Sequence, residues 1–261
     1  MAHGQETITV APPTRRLLGW EIVIVFALSL GGDALFAFIS LIGSLTAPKS
    51  LGKQQALIVG SLAPGRPWLD LALHLAQILV SLAPVALVFY LLARENSSPS
   101  DAMGLDASQP GLDLTRGAAL AAVVGGAGLG LYIAAFKLGA SLNVVPENLP
   151  NVWWRIPVLI LDAAQNGILE EVLVVGYLLR RLGQLGWSPG RSIATSAILR
   201  GSYHLYQGFG GFLGNAVLGV IFGVLYRRWG RVTPLIIAHT IIDAVAFVGY
   251  VELHGKVSWL P

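Results

Sequence analysis

Apolar residues run along the chain in about seven long stretches separated by short polar breaks, near 17–45, 68–93, 117–142, 154–182, 192–210, 212–226 and 232–252. A helix needs roughly 20 mostly apolar residues to cross a bilayer. Each stretch therefore predicts a membrane span, with an eighth if the long fourth stretch is broken. The first sixteen residues, MAHGQETITVAPPTRR, are polar and contain proline, which predicts a flexible tail over 1–16. The apolar run after them is too long for a signal-peptide core and reads as a retained first span. Residues 94–116 (RENSSPSDAMGLDASQPGLDLTR) are the most water-like segment and predict a cytoplasmic loop with a short interfacial helix. The expected fold is an all-α polytopic membrane protein of seven to eight transmembrane helices. Accessory helices fill 17–150, a four-helix core fills 151–252, and a short tail closes the chain at 253–261.

Composition sharpens this. Hydrophobic residues make up 54% of the chain and charged residues 12%, against about 25% charge in an ordinary soluble domain. A soluble enzyme, a nucleic-acid module and a disordered chain are all poor fits. Trp20, Trp68, Trp153, Trp154, Trp187, Trp229 and Trp259 fall at segment ends, where amphipathic rings prefer the headgroup zone. Loop charge gives an orientation. Arg15, Arg16, Arg94, Arg116, Arg180, Arg181, Arg191, Arg227, Arg228 and Arg231 share one side, against Lys49, Lys53, Arg66, Lys137, Arg155 and Lys256 on the other. Cytoplasmic loops are the richer in Lys and Arg, which predicts an N-terminus inside and a C-terminus outside a bacterial-type plasma membrane. The expected partners are membrane lipids, with no nucleic acid. Arg227, Arg228 and Arg231 read as a topological anchor, and Gly219 with Gly223 as a packing seam. There is no cysteine, so no disulfide, thiolate metal site or Cys nucleophile is available. GGAGLG at 125–130 lies inside an apolar helix with no strand before it, which excludes a dinucleotide fingerprint.

Candidate chemistry lies in the ionisable groups inside spans, each costly to insert and so expected to have a role. In the first half these are Asp33, Asp70, His74 and Lys137. Asp70 and His74, four apart, read as a structural pair at headgroup level, while Asp33 and Lys137 form a buried pair or line a cavity. The second half is denser. Asp162, Asn166 and Glu170 share one helical face, with Glu171 about 100° around from Glu170. Arg200 and His204 lie one turn apart, as do His239 and Asp243. At about 1.5 Å per residue, Glu170 lies roughly 15 Å from Arg180, His239 roughly 12 Å from Arg231 and His204 roughly 20 Å from Arg191. All three reach mid-membrane, so the spacing predicts one water-filled cavity lined by acids and imidazoles. A Glu beside a His can hold a water and take its proton, and a second imidazole can donate to an oxyanion. No GxSxG or HExxH is present. A zinc ion held by Glu170, His204 and His239 is an alternative on ligand type alone.

This order of elements, Glu-Glu, a His-bearing helix, then a helix with His and Asp four apart, resembles the CAAX prenyl endopeptidase type II and bacteriocin-processing family, also called abortive-infection-like intramembrane proteases. The resemblance covers about residues 154–250. It implies a membrane-embedded protease of the glutamate type, needing no cofactor, whose eukaryotic branch removes the last three residues of prenylated CAAX proteins. It implies that Glu170 activates water together with His204, that Glu171 supports, and that His239 and Asp243 form the oxyanion-side pair. Gly176 matches the glycine that closes the first motif. Two positions depart: Val175 stands where the family usually has Arg, and Arg200 where it usually has Phe. The paired loss and gain predicts that Arg200 replaces the missing counter-charge to Glu171. Asp162 and Asn166 are expected to line the cavity.

The expected function is an intramembrane endopeptidase acting on a membrane-tethered peptide or protein. The alternative is a catalytically inactive member of the same family, acting as an immunity factor, scaffold or lipopeptide binder, which Val175 and Arg200 favour. A proton-coupled transporter is weaker, since no inverted repeat is evident.

Overall fold

The computed structural model describes residues 14–95 and 98–257. Most of the expected N-terminal tail (1–13), the end of the C-terminal tail (258–261) and Trp259 lie outside the described residues. The chain forms α1 (Arg15–Ala27), α2 (Leu30–Thr46), β1 (Gln55–Val59), α3 (Pro67–Ser81), α4 (Ala83–Ala93), the short α5 (Pro99–Met103), α6 (Pro110–Lys137), β2 (Asn143–Glu147), α7 (Arg155–Glu170), a π-helical stretch (Glu171–Tyr177), α8 (Leu178–Gln184), α9 (Pro189–Ser202), α10 (Phe209–Trp229) and α11 (Thr233–Leu253).

The helical bundle is as expected, with several corrections. The tail ends earlier, because Thr14 accepts from Leu17 N at 3.4 Å and starts α1 at Arg15. The first apolar stretch is two helices bent by 52° at Leu28–Ser29. The fold is not purely helical. β1 and β2 pair in parallel, with Gln55 opposite Asn143 and Val59 opposite Glu147. Among the described residues four helical spans are long and apolar enough to cross a membrane, five if the bent pair counts as one. Seven to eight spans are therefore not met on length and apolarity. The fourth stretch carries Arg155, Asp162, Glu170, Glu171, Arg180 and Arg181, and α9 has only 14 residues. Glu170 to Leu179 is buried throughout, whereas α7 and α9 keep exposed apolar side chains such as Ile160, Leu161 and Ile198. The apolar windows of the four qualifying spans are only 11–39% buried, and Phe36, Leu79 and Val123 are exposed. Such contiguous apolar surface suits lipid, where helices satisfy their own backbone. The chain is thus a multi-pass membrane protein.

The segments sort to two ends. At one end lie the sheet, the loop before α3 and the start of α7. Asp70 holds that loop, accepting from Ser61 Oγ (2.8 Å), Leu62 N (2.7 Å) and Ala63 N (3.1 Å), while His74 Nε2 stays 3.6 Å away. Glu147, at the end of β2, pairs with Arg155 and accepts from Leu149 N at 2.9 Å, fixing the entry into α7. At the other end Arg181, fully buried, pairs with Glu21 of α1 and with Glu95. The π-helical stretch is buried from Glu171 to Tyr177 and packs its apolar side chains against Val88, Leu92, Met103 and Tyr203. A second cluster around Trp154, Leu159 and Phe247 lies under the sheet. A third joins Val175 to Phe222, Leu235 and Ala238.

Candidate active site

The site is built where the second-half helices cross. α7 ends at Glu170, and the π-helical stretch opens at Glu171. Single π turns inside α-helices recur at functional sites. Here the wider turn leaves Val174 O to accept from Ser196 Oγ of α9 at 2.8 Å. It also brings both neighbouring carboxylates to one guanidinium. Arg200 of α9 pairs with Glu171 Oε1 and stands 3.6 Å from Glu170 Oε2. Neither Arg200 nor Glu171 is exposed. α10 approaches α9 closely enough for this because Gly219 lies against Ala197, where an added Cβ would come to 2.8 Å from its Cα. The Phe222 ring lies 5.3 Å from the Arg200 guanidinium, a cation–π contact.

α11 supplies His239, whose Nδ1 meets Glu171 Oε1 at 2.7 Å. An ionised carboxylate only accepts, so Nδ1–H donates. Its Nε2 faces Asp243 Oδ2 at 3.6 Å, and Asn166 of α7 donates to the same oxygen at 3.4 Å. α7 and α11 come this close because Gly167 faces Thr240, whose Oγ1 would lie 2.7 Å from a Cβ there.

His204 is not on a helix, contrary to expectation. α9 stops at Ser202, and a 3₁₀ turn, Leu205–Gln207, follows. The ring Nδ1 lies 3.0 Å from Arg200 O. A carbonyl only accepts, so Nδ1 carries the proton and Nε2 of the neutral ring is left as a base. The turn bearing it is held from outside: Ser141 bridges Gly208, and Leu142 N donates to Gln207 O at 3.1 Å.

Tyr203 was missed by the sequence reading. It is buried, and its hydroxyl donates to Glu170 Oε2 at 2.7 Å. Its position three residues after Arg200 was the available signal. Asp33 joins the site rather than pairing with Lys137: it sits in the first turn of α2, within electrostatic reach of Glu170 and Tyr206, while Lys137 is exposed. Asp162 lies two turns up α7, half-buried, with Oδ2 lacking a hydrogen-bond partner among the described residues. Gly176 faces not the acids but Met103, whose Sδ would lie 2.9 Å from a Cβ there.

Two open cavities lie away from these residues, about 400 Å³ beside Lys49, Lys53 and Asn143 and about 310 Å³ beside Arg15 and Trp20. Glu170 keeps 8% exposure, and His204 and Asp243 are half-buried. Among the described residues no three His, Cys, Asp or Glu side chains are arranged to hold a metal ion.

The fold and site define a multi-pass membrane protein with an acid–base cluster assembled from α7 and the π-helical stretch, α9 and the turn after it, and α11. Residues 152–245 match the family model described as type II CAAX prenyl endopeptidase, Rce1-like, the family that the sequence resembles. Glu170, Glu171, Arg200, His204, His239 and Asp243 all lie inside the matched segment. No curated protein and no solved structure matches the chain.

Proposed function

We propose that the protein is an intramembrane endopeptidase of the glutamate type in which Glu170 activates the attacking water. The observation that carries this is the inequality of the two glutamates. Glu171 is fully buried, and its Oε1 is claimed by Arg200 and His239. Glu170 keeps a partial exposure, and only Oε2 is engaged, by Tyr203. Its Oε1 has no hydrogen bond to a described residue and is open to a water. One carboxylate is locked and the other is poised.

In this reading Glu170, helped by the unprotonated Nε2 of His204, takes a proton from water as its oxygen attacks the scissile carbonyl. The oxyanion forms beside His239, whose Nδ1–H is spent on Glu171 and whose Nε2, 3.6 Å from Asp243 Oδ2 and so not hydrogen-bonded to it, donates to the oxyanion as the N–H of the imidazolium. Glu170 then returns its proton to the leaving amine. Asn166 and Asp162 line the approach along α7. The reading calls for no cofactor. Its substrate is a peptide bond in a membrane-tethered or membrane-inserted chain, because the reacting groups lie among spans surrounded by lipid, the other partner. The start of α1 lies on the Arg181 side, with Arg15 beside Gly186, and that side is taken as cytoplasmic.

Glu170→Gln removes the base and keeps the shape. Cleavage is expected to fall by at least about 10²-fold, the low end for a general base, with the variant still folded in the membrane. The measurement compares membrane peptides in cells carrying wild type and Glu170→Gln; equal processing in both defeats the proposal. A second reading, a non-catalytic binder, is favoured by Arg200 lying close to both acids. Under it neither protein cleaves, yet Glu170→Gln still changes the cellular phenotype.

A further inference from the structure

A second charged knot lies at the Arg181 end of the bundle, in residues the hydrolytic reading leaves unused. Arg231, read from the sequence with Arg227 and Arg228 as a topological anchor, is 7% exposed. Its Nε donates to Asp113 Oδ1 at 2.9 Å and its Nη2 to Asp113 Oδ2 at 2.6 Å. Nη1 donates to Asp106 Oδ2 at 3.1 Å and to Ser108 Oγ at 3.0 Å, and Nη2 also reaches Asp106 O at 3.0 Å. Every nitrogen of the planar fork is thus used, on partners that all belong to the segment between α5 and the first turn of α6.

The same segment grips the start of α11 through its backbone. Val232 N donates to Met103 O and Thr233 Oγ1 to Gly104 O, each at 3.0 Å. Gly104 has φ +62°, and a Cβ there would come to 2.6 Å from Arg231 Cα, so only glycine suits the left-handed, crowded position. One residue earlier, Met103 is fully buried and rests on Gly176 of the π-helical stretch. One short segment therefore touches the two elements that meet in the site. The π-helical stretch carries Glu171, five residues before Gly176. α11 carries His239, about 12 Å along the helix from Arg231 at 1.5 Å per residue.

We propose that Met103 and Arg231 are positioning residues: together they fix the register of α11 against the π-helical stretch, and so the Glu171–His239 hydrogen bond. Met103 sets the separation, because its side chain is the spacer between loop and π turn. Arg231 sets the height of α11, because its two aspartates allow little sliding. Neither touches a reacting atom. The proposal builds on the hydrolytic reading, but its primary readout does not need hydrolysis.

The experiment records the His239 ring-nitrogen and Nδ1 proton resonances of the full-length protein in lipid nanodiscs, with histidine labelled and His239→Gln used for assignment. Met103→Ala and Asp113→Asn are expected to move the Nδ1 proton upfield as the bond to Glu171 lengthens. Met103→Leu, which conserves volume, returns it to the wild-type position. Where cleavage is measurable, Met103→Ala lowers kcat by about 10²-fold, the cost of a displacement near 1 Å, with KM unchanged. The proposal is overturned if thermal stability falls in both variants while the His239 resonances stay in place, since that describes a staple with no hold on the site. A Met103→Ala that fails to fold leaves Asp113→Asn to decide the same question. If the wild type cleaves nothing, the resonance shift still decides this proposal while the hydrolytic reading fails.

Discussion

Arg200 and Glu171 meet with neither side chain exposed, and a charge taken from water is tolerated only while its partner stays. Arg200→Ala leaves Glu171 with His239 alone. It is expected to cost about 3–5 kcal/mol, the range for breaking a buried pair, read as a lower thermal midpoint in detergent. Both carboxylates are met by one nitrogen, Nη2, so Arg200→Lys should recover part of the loss, but not all of it, because an ammonium is more strongly hydrated than a guanidinium and costs more to bury. At this scale much was legible. Carboxylates and imidazoles in apolar stretches are rare enough to announce themselves, and helical rise alone placed Glu170, His204 and His239 at similar depth. Tyr203 was not legible: a tyrosine at a helix end looks like an interfacial ring, and only the bend of the chain after Ser202 turns its hydroxyl onto Glu170. Arg231's aspartate partners were not legible either, because charge near a helix end reads the same whether it faces water or a buried aspartate.

Among elements, the close pair α7–α11 decides whether Asp243 and His239 reach the glutamates. Gly167→Ala places a methyl group against Thr240 Oγ1 and Ile236 O. Forced separation of well-packed helices costs about 1–3 kcal/mol, and the loss should appear in stability and in any cleavage assay together, whereas Gly190→Ala, with nothing within 4 Å, should leave both unchanged. The long helices were readable from apolar run length. The strands QALIV and NVVPE were not, since a five-residue run sits below any period that separates strand from loop. The break between α1 and α2 was hidden too, because Leu28 and Ser29 interrupt nothing in the apolar pattern. The π turn has no sequence mark beyond two adjacent glutamates.

For the whole molecule, the two ends can be tested directly, since the chain has no cysteine of its own. α10 leaves the Ser141–Gly208 bridge beside the sheet and ends at Trp229, about 31 Å away at 1.5 Å per residue. Lys53→Cys and Arg228→Cys, both exposed, should therefore react with an impermeant thiol reagent from opposite faces of sealed membranes. The extramembrane clamp also fixes a pH behaviour. Its hydrogen bonds from Arg231, with those from Ser108, hold the Asp106 carboxyl well below the usual carboxylate range, and hydrogen bonds to Asp113 and Asp106 raise the Arg231 guanidinium. A lowered acid contributes fully above its unfolded value of about 3.9 and loses that only as pH falls further; a raised base contributes fully below about 12.5. The drop in thermal midpoint caused by Asp106→Asn should thus be the same at pH 5 and pH 8.

The turn that carries His204 hangs from the strand lead-in at Ser141 and Leu142, whereas His239, in the proposal above, is set by Arg231 just before the start of its helix. The two imidazoles have separate mechanical parents on opposite aqueous faces. Cutting away either face disassembles the centre although every acid and base remains in the polymer. The acid–base cluster therefore depends on the full thickness of the bundle, and a minimal fragment trimmed to the matched segment should lose the Glu171–His239 contact.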